Sequence, residues 1–575
     1  MLVTIRTLTA LKSLALNEVK CDPSPPRKAL TMKKHFRSIA SIALSVAVVA
    51  TGLTVTPAVA AAKNLIVETV FQLTSTDPGR SFEQTGNMIN HALYETLVTY
   101  KGGDAATPVP GIASKWTVNA AATEFTFTID PKATFSDGSK VTSADVVFSL
   151  NRLKNIKGNP SSLMAGISVS APNASTAVLT TEKATPQLLA IVTSPAAGIM
   201  NSKVLAANGG SAAADASTTD TSLEFLKKTS VGSGPYILKS FNLTTEVVLD
   251  KNTKYWGKNM AGYDQIIIRN VPVNVQRLDA IKGSSSIAVD LSPDQASDMG
   301  KMVNVITGQA SNVFFLYLSQ NATFSDATKF TSNAKCVEAA RYGINYKKIV
   351  RYAGLGAIQA PGIIPSFFSG ALTQKDVIVQ DTARAKTAFD ACGIKDVPVS
   401  IGYWGDGGAV NGLNFGSLAA LVDEDLRAVG FKTKLVGAPI AVSLPLYRNN
   451  QEEMGLWLWG PDWPDSTNYT ESFSPGTKVG LRMGWLAGAD AVISGLRAKA
   501  ATETDSTKRA ALFSAWQKEM NLRSPLIPLV QPAAILVANK SVVGIANHPI
   551  WKVNLSELKQ AAPPVKKTKK VKKTK

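Results

Sequence analysis

The sequence predicts an α/β protein made of more than one globular unit, and three observations lead to this fold class. Strand-like and helix-like segments alternate along the chain without a repeat. The 575 residues exceed what one hydrophobic core serves, and a composition of 45% hydrophobic and 18% charged residues is typical of well-packed domains. A strand–helix–strand unit stands out in the second half. It comprises alternating Val397, Val399, Ile401 and Tyr403, the helical stripe Leu418, Leu421, Val422 and Val429 before Gly430, and alternating Phe431, Thr433 and Leu435.

The N-terminal region predicts export. Three basic residues after Met32 precede an apolar run over residues 39–55, and Ala58-Val59-Ala60 offers a cleavage site. A retained membrane anchor is the alternative, but the run is short and contains Gly52, so we expect a signal peptide that is removed. Residues 1–31 fit an upstream extension before a true start at Met32. No cysteine follows the apolar run, so no lipobox is expected.

The net charge of +19 is concentrated at the two ends. Residues 1–62 hold eight basic and two acidic side chains, and residues 565–575 hold seven lysines, which leaves +6 for the rest. Nucleic-acid binding is therefore not expected. The lysine-rich end cannot bury apolar area and repels itself, so residues 561–575 are predicted to be a disordered tail. Without a lipid anchor, this tail would tether the protein to anionic lipids or envelope polymers.

The first elements after the export signal are strands and capped helices. Residues 64–70 predict a strand, and residues 87–99 predict a helix, or a helix and then a strand. Alternating apolar residues over 124–130 predict a half-buried strand. Thr142 and Asp145 have the spacing of a capping box at the start of the next helix.

The next two segments are predicted to form a loop and a hairpin. Residues 207–222, rich in small and polar side chains, predict a surface loop. Residues 231–252 predict two strands joined by a polar turn, and Gly232 and Gly234 indicate close approach of the backbone.

Two helices of the second half each carry one cysteine. Residues 336–350 predict a helix with Cys336 on its apolar face and with Lys347 and Lys348 near its C-terminal end, where cations suit the helix dipole. A second apolar stripe ends at Cys392. Because the chain is expected to be exported, we predict a disulfide between the two cysteines, with two buried free thiols as the alternative.

No motif of a zinc, nucleophile-elbow or nucleotide site occurs in the sequence, and only His91 and His548 remain after the signal peptide. We therefore expect neither a metal nor a cofactor.

The candidate functional stretch is Trp-Leu-Trp-Gly-Pro-Asp-Trp-Pro-Asp at residues 457–465. Its prolines predict an irregular backbone, and its indoles and carboxylates suit a small amphipathic ligand. The alternative is that Trp457 and Trp459 alternate on a core strand, while Asp462 and Asp465 only cap turns.

Several motifs, in order, give the chain its resemblance to a family. The chain resembles the family 5 extracellular solute-binding proteins, which are the oligopeptide, dipeptide and nickel receptors of ABC importers. The matching text comprises Tyr94-Glu-Thr-Leu97, Pro110-Gly-Ile-Ala-Ser-Lys-Trp116, Phe135-Ser-Asp-Gly138, Thr142-Ser-Ala-Asp-Val146, Gly232-Ser-Gly-Pro-Tyr236, Tyr255-Trp-Gly257 and Trp459-Gly-Pro-Asp-Trp-Pro464.

The resemblance implies a two-lobed α/β fold of the periplasmic-binding-protein type, with an extra subdomain and a ligand cleft between the lobes. Hinge closure would bury the ligand there. The expected domains are an upstream extension and signal peptide at 1–60, lobe I from 61–99, 191–311 and 530–560, the extra subdomain at 100–190, lobe II at 312–529, and the tail at 561–575.

The resemblance also implies the site and the partners. Peptide-binding relatives hold the ligand's α-ammonium with an aspartate three residues after a tryptophan, and here Asp462 follows Trp459. The expected ligand-binding residues are Trp457, Trp459, Asp462 and Trp463, and the group that meets a ligand carboxylate is left open. The expected function is that of a monomeric receptor that captures a small solute, most simply a short peptide, for an ABC permease.

Further candidates and functions stay open beside this one. Residues 74–77 and 232–236 are candidate contacts from lobe I, although a structural role is preferred for Asp77. A secreted hydrolase that uses Asp462 and Asp465 as an acid/base pair is one alternative function, and an envelope-adhesive protein is another.

Overall fold

The computed structural model describes residues 63–71, 73–258 and 262–562. The predicted signal peptide, its cleavage site and nearly all of the lysine-rich tail lie outside the described residues. The described residues form one compact unit. Within the described ranges, no helix has both the length and the apolarity needed to cross a membrane.

A seven-stranded mixed sheet forms the centre of the first lobe. The strand Asn64–Thr69, predicted from the sequence, pairs in parallel with two neighbours, and the other pairs are antiparallel. Apolar residues of one face pack against the helix Gln84–Leu93, and the helix Val273–Lys282 contacts the sheet as well. In sheet order the strands are Asn304–Gln309, Ala533–Ala538, Ile287–Ala288, Asn64–Thr69, Gln265–Asn270, Glu246–Lys251 and Tyr236–Phe241.

A separate four-stranded antiparallel sheet forms the extra subdomain. The strand Glu124–Ile129 buries alternate residues, as predicted. The helix Ser143–Asn155 contacts this sheet and begins with the predicted capping box, in which the backbone N–H of Thr142 donates to the carboxylate of Asp145 at 2.9 Å. In sheet order the strands are Ala113–Val118, Glu124–Ile129, Thr176–Thr181 and Ile167–Asn173.

A buried ion cluster fixes this helix to the rest of the lobe. The Arg152 guanidinium, with 1% of its side chain exposed, donates to Asp77 at 2.7 and 2.8 Å and to Asp220 at 2.7 and 3.2 Å. Asp77 therefore has the structural role preferred from the sequence. The prediction of a surface loop at 207–222 is wrong at Asp220, because the short helix Ala216–Thr219 turns this residue inward to the guanidinium.

The carboxylate of Glu95 joins three of the sequence motifs. It accepts hydrogen bonds from the Tyr255 hydroxyl at 2.7 Å, the Trp256 indole N–H at 2.7 Å and the Ser233 hydroxyl at 2.8 Å. A Cβ atom at Gly234 would lie 2.3 Å from a backbone carbonyl oxygen of the helix Gln84–Leu93, as the predicted close approach requires. These motifs therefore build the scaffold of the first lobe.

A six-stranded sheet between two helical layers forms the second lobe. Its predicted strand–helix–strand unit is confirmed: Pro398–Trp404 and Lys432–Ala438 are parallel, and the helix Phe415–Val429 ends at Gly430. In sheet order the strands are Ile358–Gln359, Leu526–Gln531, Val313–Leu318, Met454–Trp459, Pro398–Trp404 and Lys432–Ala438. One layer contains the helices Ala334–Gly343, Tyr346–Ala353, Thr382–Cys392 and Phe415–Val429, and the other contains Ile440–Arg448, Thr467–Phe473, Lys478–Arg482, Ala491–Thr502 and Ser506–Arg523.

The single helix predicted over residues 336–350 is wrong. The chain forms two helices, because the Asn345 side chain accepts a hydrogen bond from the backbone N–H of Lys348 and starts a new helix. Lys347 and Lys348 therefore lie in a first turn rather than a last turn. The unfavourable position of Lys348 is offset by its ion pair with Asp425, in which the charged atoms are 2.6 Å apart.

The predicted disulfide is present. It joins Cys336 and Cys392, whose Cα atoms are 4.9 Å apart, and links the helices Ala334–Gly343 and Thr382–Cys392. Both residues are buried in the apolar layer of the second lobe.

The chain passes between the two large sheets twice. The first passage leads from Asn304–Gln309 to Val313–Leu318, and the second leads from Leu526–Gln531 to Ala533–Ala538. Two hydrogen bonds join the passages. The Gln531 side-chain amide donates to the Ala310 carbonyl at 2.8 Å, and the Ala310 N–H donates to the Pro532 carbonyl at 3.0 Å. This pair of adjacent crossings is a typical hinge between lobes.

Candidate functional site

The first three residues of the tryptophan-rich stretch lie on a core strand. Trp457 and Trp459 belong to Met454–Trp459 and are only 4% and 8% exposed. The prediction of an irregular backbone is wrong for these residues, because they pair with Val313–Leu318. The irregular backbone begins at Gly460, where the strand ends before Pro461.

Both core indoles have partners within the second lobe. Trp457 stacks on Tyr447 with ring centroids 4.6 Å apart, and its indole N–H donates to the Glu452 carboxyl at 2.8 Å. Trp459 contacts Phe473 edge to face at 5.3 Å. The two rings therefore form the wall behind the loop, and their direct contact with a ligand stays a prediction.

Asp462 carries the most available charge of the loop. Its backbone N–H donates to the Asn468 side chain at 2.9 Å, which holds the turn. Its side chain is 25% exposed, and its carboxylate faces the ammonium of Lys478 at 3.4 Å. Because Lys478 is half exposed and the distance is long, this pair contributes little energy and a ligand cation can replace the lysine.

Asp465 serves the fold of the loop. The Arg509 guanidinium donates to both of its carboxylate oxygens, at 2.7 and 2.8 Å, and the Thr467 backbone N–H donates to one of them at 2.8 Å. Asp462 and Asp465 thus engage different cations and do not form a proton-sharing pair. This arrangement gives no support to a hydrolase that uses the two carboxylates.

Trp463 lies at the boundary between the lobes. Its partly buried ring packs against the apolar core of the extra subdomain. Its indole N–H is buried and has no hydrogen-bond partner among the described residues. An unpaired buried donor is costly, so this atom is suited to meet an acceptor on a ligand.

The loop lies next to the first crossing between the lobes. A Cβ atom at Gly460 would lie 3.6 Å from the Cβ of Asn312, and the hydroxyl of Tyr469 donates to the Ser311 carbonyl at 3.0 Å. The Asn312 side chain in turn accepts a hydrogen bond from the Asn411 side chain at 2.8 Å. The loop therefore reaches the floor of the region between the two sheets.

The first lobe contributes its C-terminal segment to this floor. A cavity of about 10 Å³, with room for about one water molecule, lies between the lobes. Its lining residues are Gln84, Ala310, Ser311, Asn411, Ala534, Asn547, His548, Pro549 and Lys552. The sequence analysis missed Lys552 and Asn411, because neither belongs to a motif and only the fold brings them together.

The two histidines of the described chain enclose one tryptophan. The centroid of the Trp551 ring lies 4.0 Å from that of His91 and 3.5 Å from that of His548. Burial lowers the pKa of His91 to about 4 and lowers that of His548 as well. Both imidazoles are therefore neutral at neutral pH and act as part of the core.

The lobe I candidates named from the sequence have partners within the first lobe. Thr74 bonds to Glu83 at 3.2 Å, and Asp77 belongs to the buried ion cluster. The turn at Gly232 packs against the backbone of the neighbouring helix, where an added Cβ atom would lie 2.1 Å from a carbonyl oxygen.

Comparison with known proteins gives the same architecture. The family model described as bacterial extracellular solute-binding proteins, family 5 middle, matches residues 107–480. The chain is 25% identical over 483 residues to the probable D,D-dipeptide-binding periplasmic protein DdpA of Escherichia coli, which covers 82% of this chain and 89% of that protein. It is 22% identical over 530 residues to the dipeptide-binding protein DppE of Bacillus subtilis, with 86% and 91% covered.

Solved structures are similar as well. The ABC transporter substrate-binding protein CtaP of Listeria monocytogenes superposes with a TM-score of 0.74 at 16% identity, covering 87% of this chain and all of that one. The periplasmic binding protein DppA of Helicobacter pylori, solved with the peptide STSA, gives a TM-score of 0.71 at 18% identity, with 87% and 99% covered. The family match over more than half of the chain, on a two-lobed α/β fold, shows that this protein belongs to the family 5 bacterial extracellular solute-binding proteins.

Proposed function

We propose that this protein captures a short peptide between its lobes and delivers it to an ABC permease in the cytoplasmic membrane. The observation that carries the proposal is the Asp462 carboxylate, which stands beside the crossing between the lobes with only a half-exposed lysine as its ion partner. Peptides and glutathione, named as ligands of similar proteins, carry an ammonium that such a carboxylate binds.

The contacts of the loop support a proposed role for each of the four predicted ligand-binding residues. Asp462 binds the α-ammonium of the peptide and releases Lys478 to solvent. Trp463 donates its unpaired indole N–H to a backbone carbonyl of the ligand. Trp457 and Trp459 hold the loop from behind, because their rings are occupied by other aromatic side chains.

The proposed lobes follow the two crossings. Lobe I takes residues 61–99, 191–311 and 530–560, the extra subdomain takes 100–190, and lobe II takes 312–529. Closure about the adjacent crossings would bring Asp462 and the first lobe onto opposite sides of the ligand, and a permease would recognise the closed form. We place the receptor outside the cytoplasmic membrane, as a monomer, with the lysine-rich tail as a tether to anionic lipid or wall polymer.

The first experiment identifies the ligand. Mass spectrometry of small molecules released from the purified protein should find peptides, and calorimetric titration should then give their affinities. Asp462→Asn should weaken an ammonium-bearing peptide by about 2 to 5 kcal/mol, the usual cost of removing one partner of a desolvated charge pair.

The matched control is Asp396→Asn. Asp396 is 81% exposed and precedes the strand Pro398–Trp404, which runs parallel to Met454–Trp459, so it lies at the opposite end of the second sheet. This variant should bind as the wild type does. Unchanged peptide affinity in Asp462→Asn would assign Asp462 to the turn alone, and the absence of peptide binding by the wild type would overturn the proposed ligand class.

A further inference from the structure

Lys552 is a cation of the first lobe that lacks an ion pair. Within the described residues, its ammonium forms no salt bridge, and its hydrogen bond is a long one of 3.4 Å to the side-chain oxygen of Asn411. Asn411 belongs to the second lobe, so this contact spans the two lobes. A partly buried cation whose hydrogen-bond partner is a neutral amide is incompletely compensated.

Asp290 is the acidic group that acts on Lys552 electrostatically, but no salt bridge joins the two side chains within the described residues. One oxygen of its carboxylate accepts hydrogen bonds from the Thr69 hydroxyl at 2.8 Å, the Val70 N–H at 2.7 Å and the Gln276 amide at 3.1 Å, which hold the carboxylate toward the strand of the first lobe. Burial outweighs this attraction and lowers the pKa of Lys552. An anion brought close to the ammonium would oppose that shift.

The backbone holds Lys552 in a fixed place. Its φ of 61° lies in the left-handed region, which is unfavourable for a lysine and is maintained by the surrounding hairpin of Asn547–His548 and Lys552–Val553. Strained positions of this kind cluster at ligand contacts. The side chain borders two small cavities, each of about 10 Å³, one toward Asp290 and one toward Ser311 and Asn411.

Lys552 and the loop that carries Asp462 are both linked to the crossing residue Asn312. Lys552 contacts Asn411, which is bonded to Asn312, and the loop of Asp462 approaches Asn312 through Gly460. The two lobes thus present charges of opposite sign at the same crossing. This arrangement complements a zwitterion whose ammonium faces one lobe and whose carboxylate faces the other.

We propose that Lys552 binds the carboxylate of the captured peptide, replacing the side-chain oxygen of Asn411 as the partner of its ammonium. The inference rests on the proposed peptide ligand and names the residue that reads the second charge. It predicts that the receptor prefers peptides with a free C-terminus. The preference arises because a peptide without a free carboxylate leaves Lys552 without an ionic partner.

The test uses calorimetry with di-, tri- and tetra-alanine, each as the free acid and as the C-terminal amide. The wild type should bind the acid at least about tenfold more tightly than the amide, the factor expected for one charge-assisted hydrogen bond. Lys552→Gln should bind acid and amide with similar affinity, and the amide should bind it as it binds the wild type. Lys552→Asn, which tolerates the left-handed backbone better, serves as the second variant if Lys552→Gln unfolds.

Lys540→Gln is the matched control, since Lys540 is exposed and precedes the same C-terminal segment. It should keep the full preference for the acid. A Lys552 variant that melts normally and retains the wild-type preference would overturn the assignment, as would a wild type that binds acid and amide equally. A wild type that binds none of the peptides, while Lys552 variants change only stability, would instead overturn the proposed ligand class.

Discussion

On each side of the crossing segment, a tryptophan lies beside buried titratable groups. The group is an acid in the second lobe, and the groups are bases in the first lobe. In the second lobe, Trp457 donates to Glu452, and burial raises the pKa of this carboxyl to about 7. In the first lobe, Trp551 lies between His91 and His548, and burial lowers the pKa of both imidazoles. Burial favours the neutral form in each case, so one side holds a proton and the other side excludes one.

Each side also has a charged group close to its tryptophan in the sequence. Asp462 follows the strand of the second lobe, and Lys552 follows Trp551 in the first. The rings of Trp457 and Trp551 are stacked on other side chains, whereas the neighbouring charged groups Asp462 and Lys552 have only weak partners among the described residues.

The largest expected effect is a loss of stability, and it distinguishes the buried Trp459 from the proposed ligand contact Trp463. Trp459→Ala should lower the free energy of unfolding by about 3 to 5 kcal/mol, because it empties a buried space beside Phe473. Trp463→Ala is the matched variant. It should lower the free energy of unfolding less than Trp459→Ala does, since its ring is only partly buried. It should weaken peptide binding more. Urea unfolding and calorimetry measure the two quantities. If Trp463→Ala instead lost more stability and Trp459→Ala lost more peptide affinity, Trp459 would be the ligand contact and Trp463 the structural residue.

Removing the disulfide should change stability without changing either side of the site. Replacing both Cys336 and Cys392 by serine should cost about 4 kcal/mol, because a loop of 56 residues is no longer closed in the unfolded chain. Peptide affinity should stay at the wild-type value, since the bond lies in the opposite helical layer of the second lobe. Two thiols that react with an alkylating agent in the denatured, unreduced wild type would show that the bond is absent.

The first lobe should weaken in acid. The His91 imidazole is neutral when folded, so the stability it contributes is present above its unfolded pKa of 6.5 and is lost as the pH falls to about 4. The loss should be about 3 kcal/mol, the free energy that corresponds to a pKa shift of this size. Comparing the unfolding free energies of the wild type and His91→Gln between pH 7 and pH 4 isolates it. Parallel pH profiles for the two proteins would contradict the burial argument.

The second lobe should respond in the opposite direction. Glu452 keeps its proton when folded, so the stability it contributes is present below its unfolded pKa of 4.5 and is lost as the pH rises through about 7. The variant Glu452→Gln still accepts hydrogen bonds from Trp457 and Tyr317. Its free energy of unfolding, relative to that of the wild type, should therefore rise by about 2 to 3 kcal/mol from pH 4 to pH 8. A constant difference across this range would show that the carboxyl is ionised throughout.

Most local elements follow from patterns within a few residues of each other. The capping box at Thr142, the strand–helix–strand unit ended by Gly430 and the disulfide were all predicted and are present. One failure is a place where a distant partner decides, since Asp220 turns inward because Arg152 is there. The other is a local cap that the helical periodicity hides, since the helix expected through residue 350 restarts at Asn345.

The candidate site divides in the same way. The tryptophan-rich stretch was visible because its residues are contiguous, although the sequence left open whether Trp457 and Trp459 were loop or strand. Pairing with Val313–Leu318 decided that they are strand. Lys552 could not be found from the sequence, because its environment is formed by Asn411 and Asp290, which lie far from it along the chain.

The sequence by itself therefore determined the fold class, the family and the position of the aspartate loop, since periodicity and ordered motifs are local properties of the chain. Only the tertiary structure decided which of the conspicuous residues are buried in the core and which charged groups have weak partners. The physical reason is that burial and the pairing of charges depend on neighbours from other segments. Lys552, through Asn411, and the loop of Asp462, through Gly460, approach the same crossing residue Asn312 only after both sheets have formed.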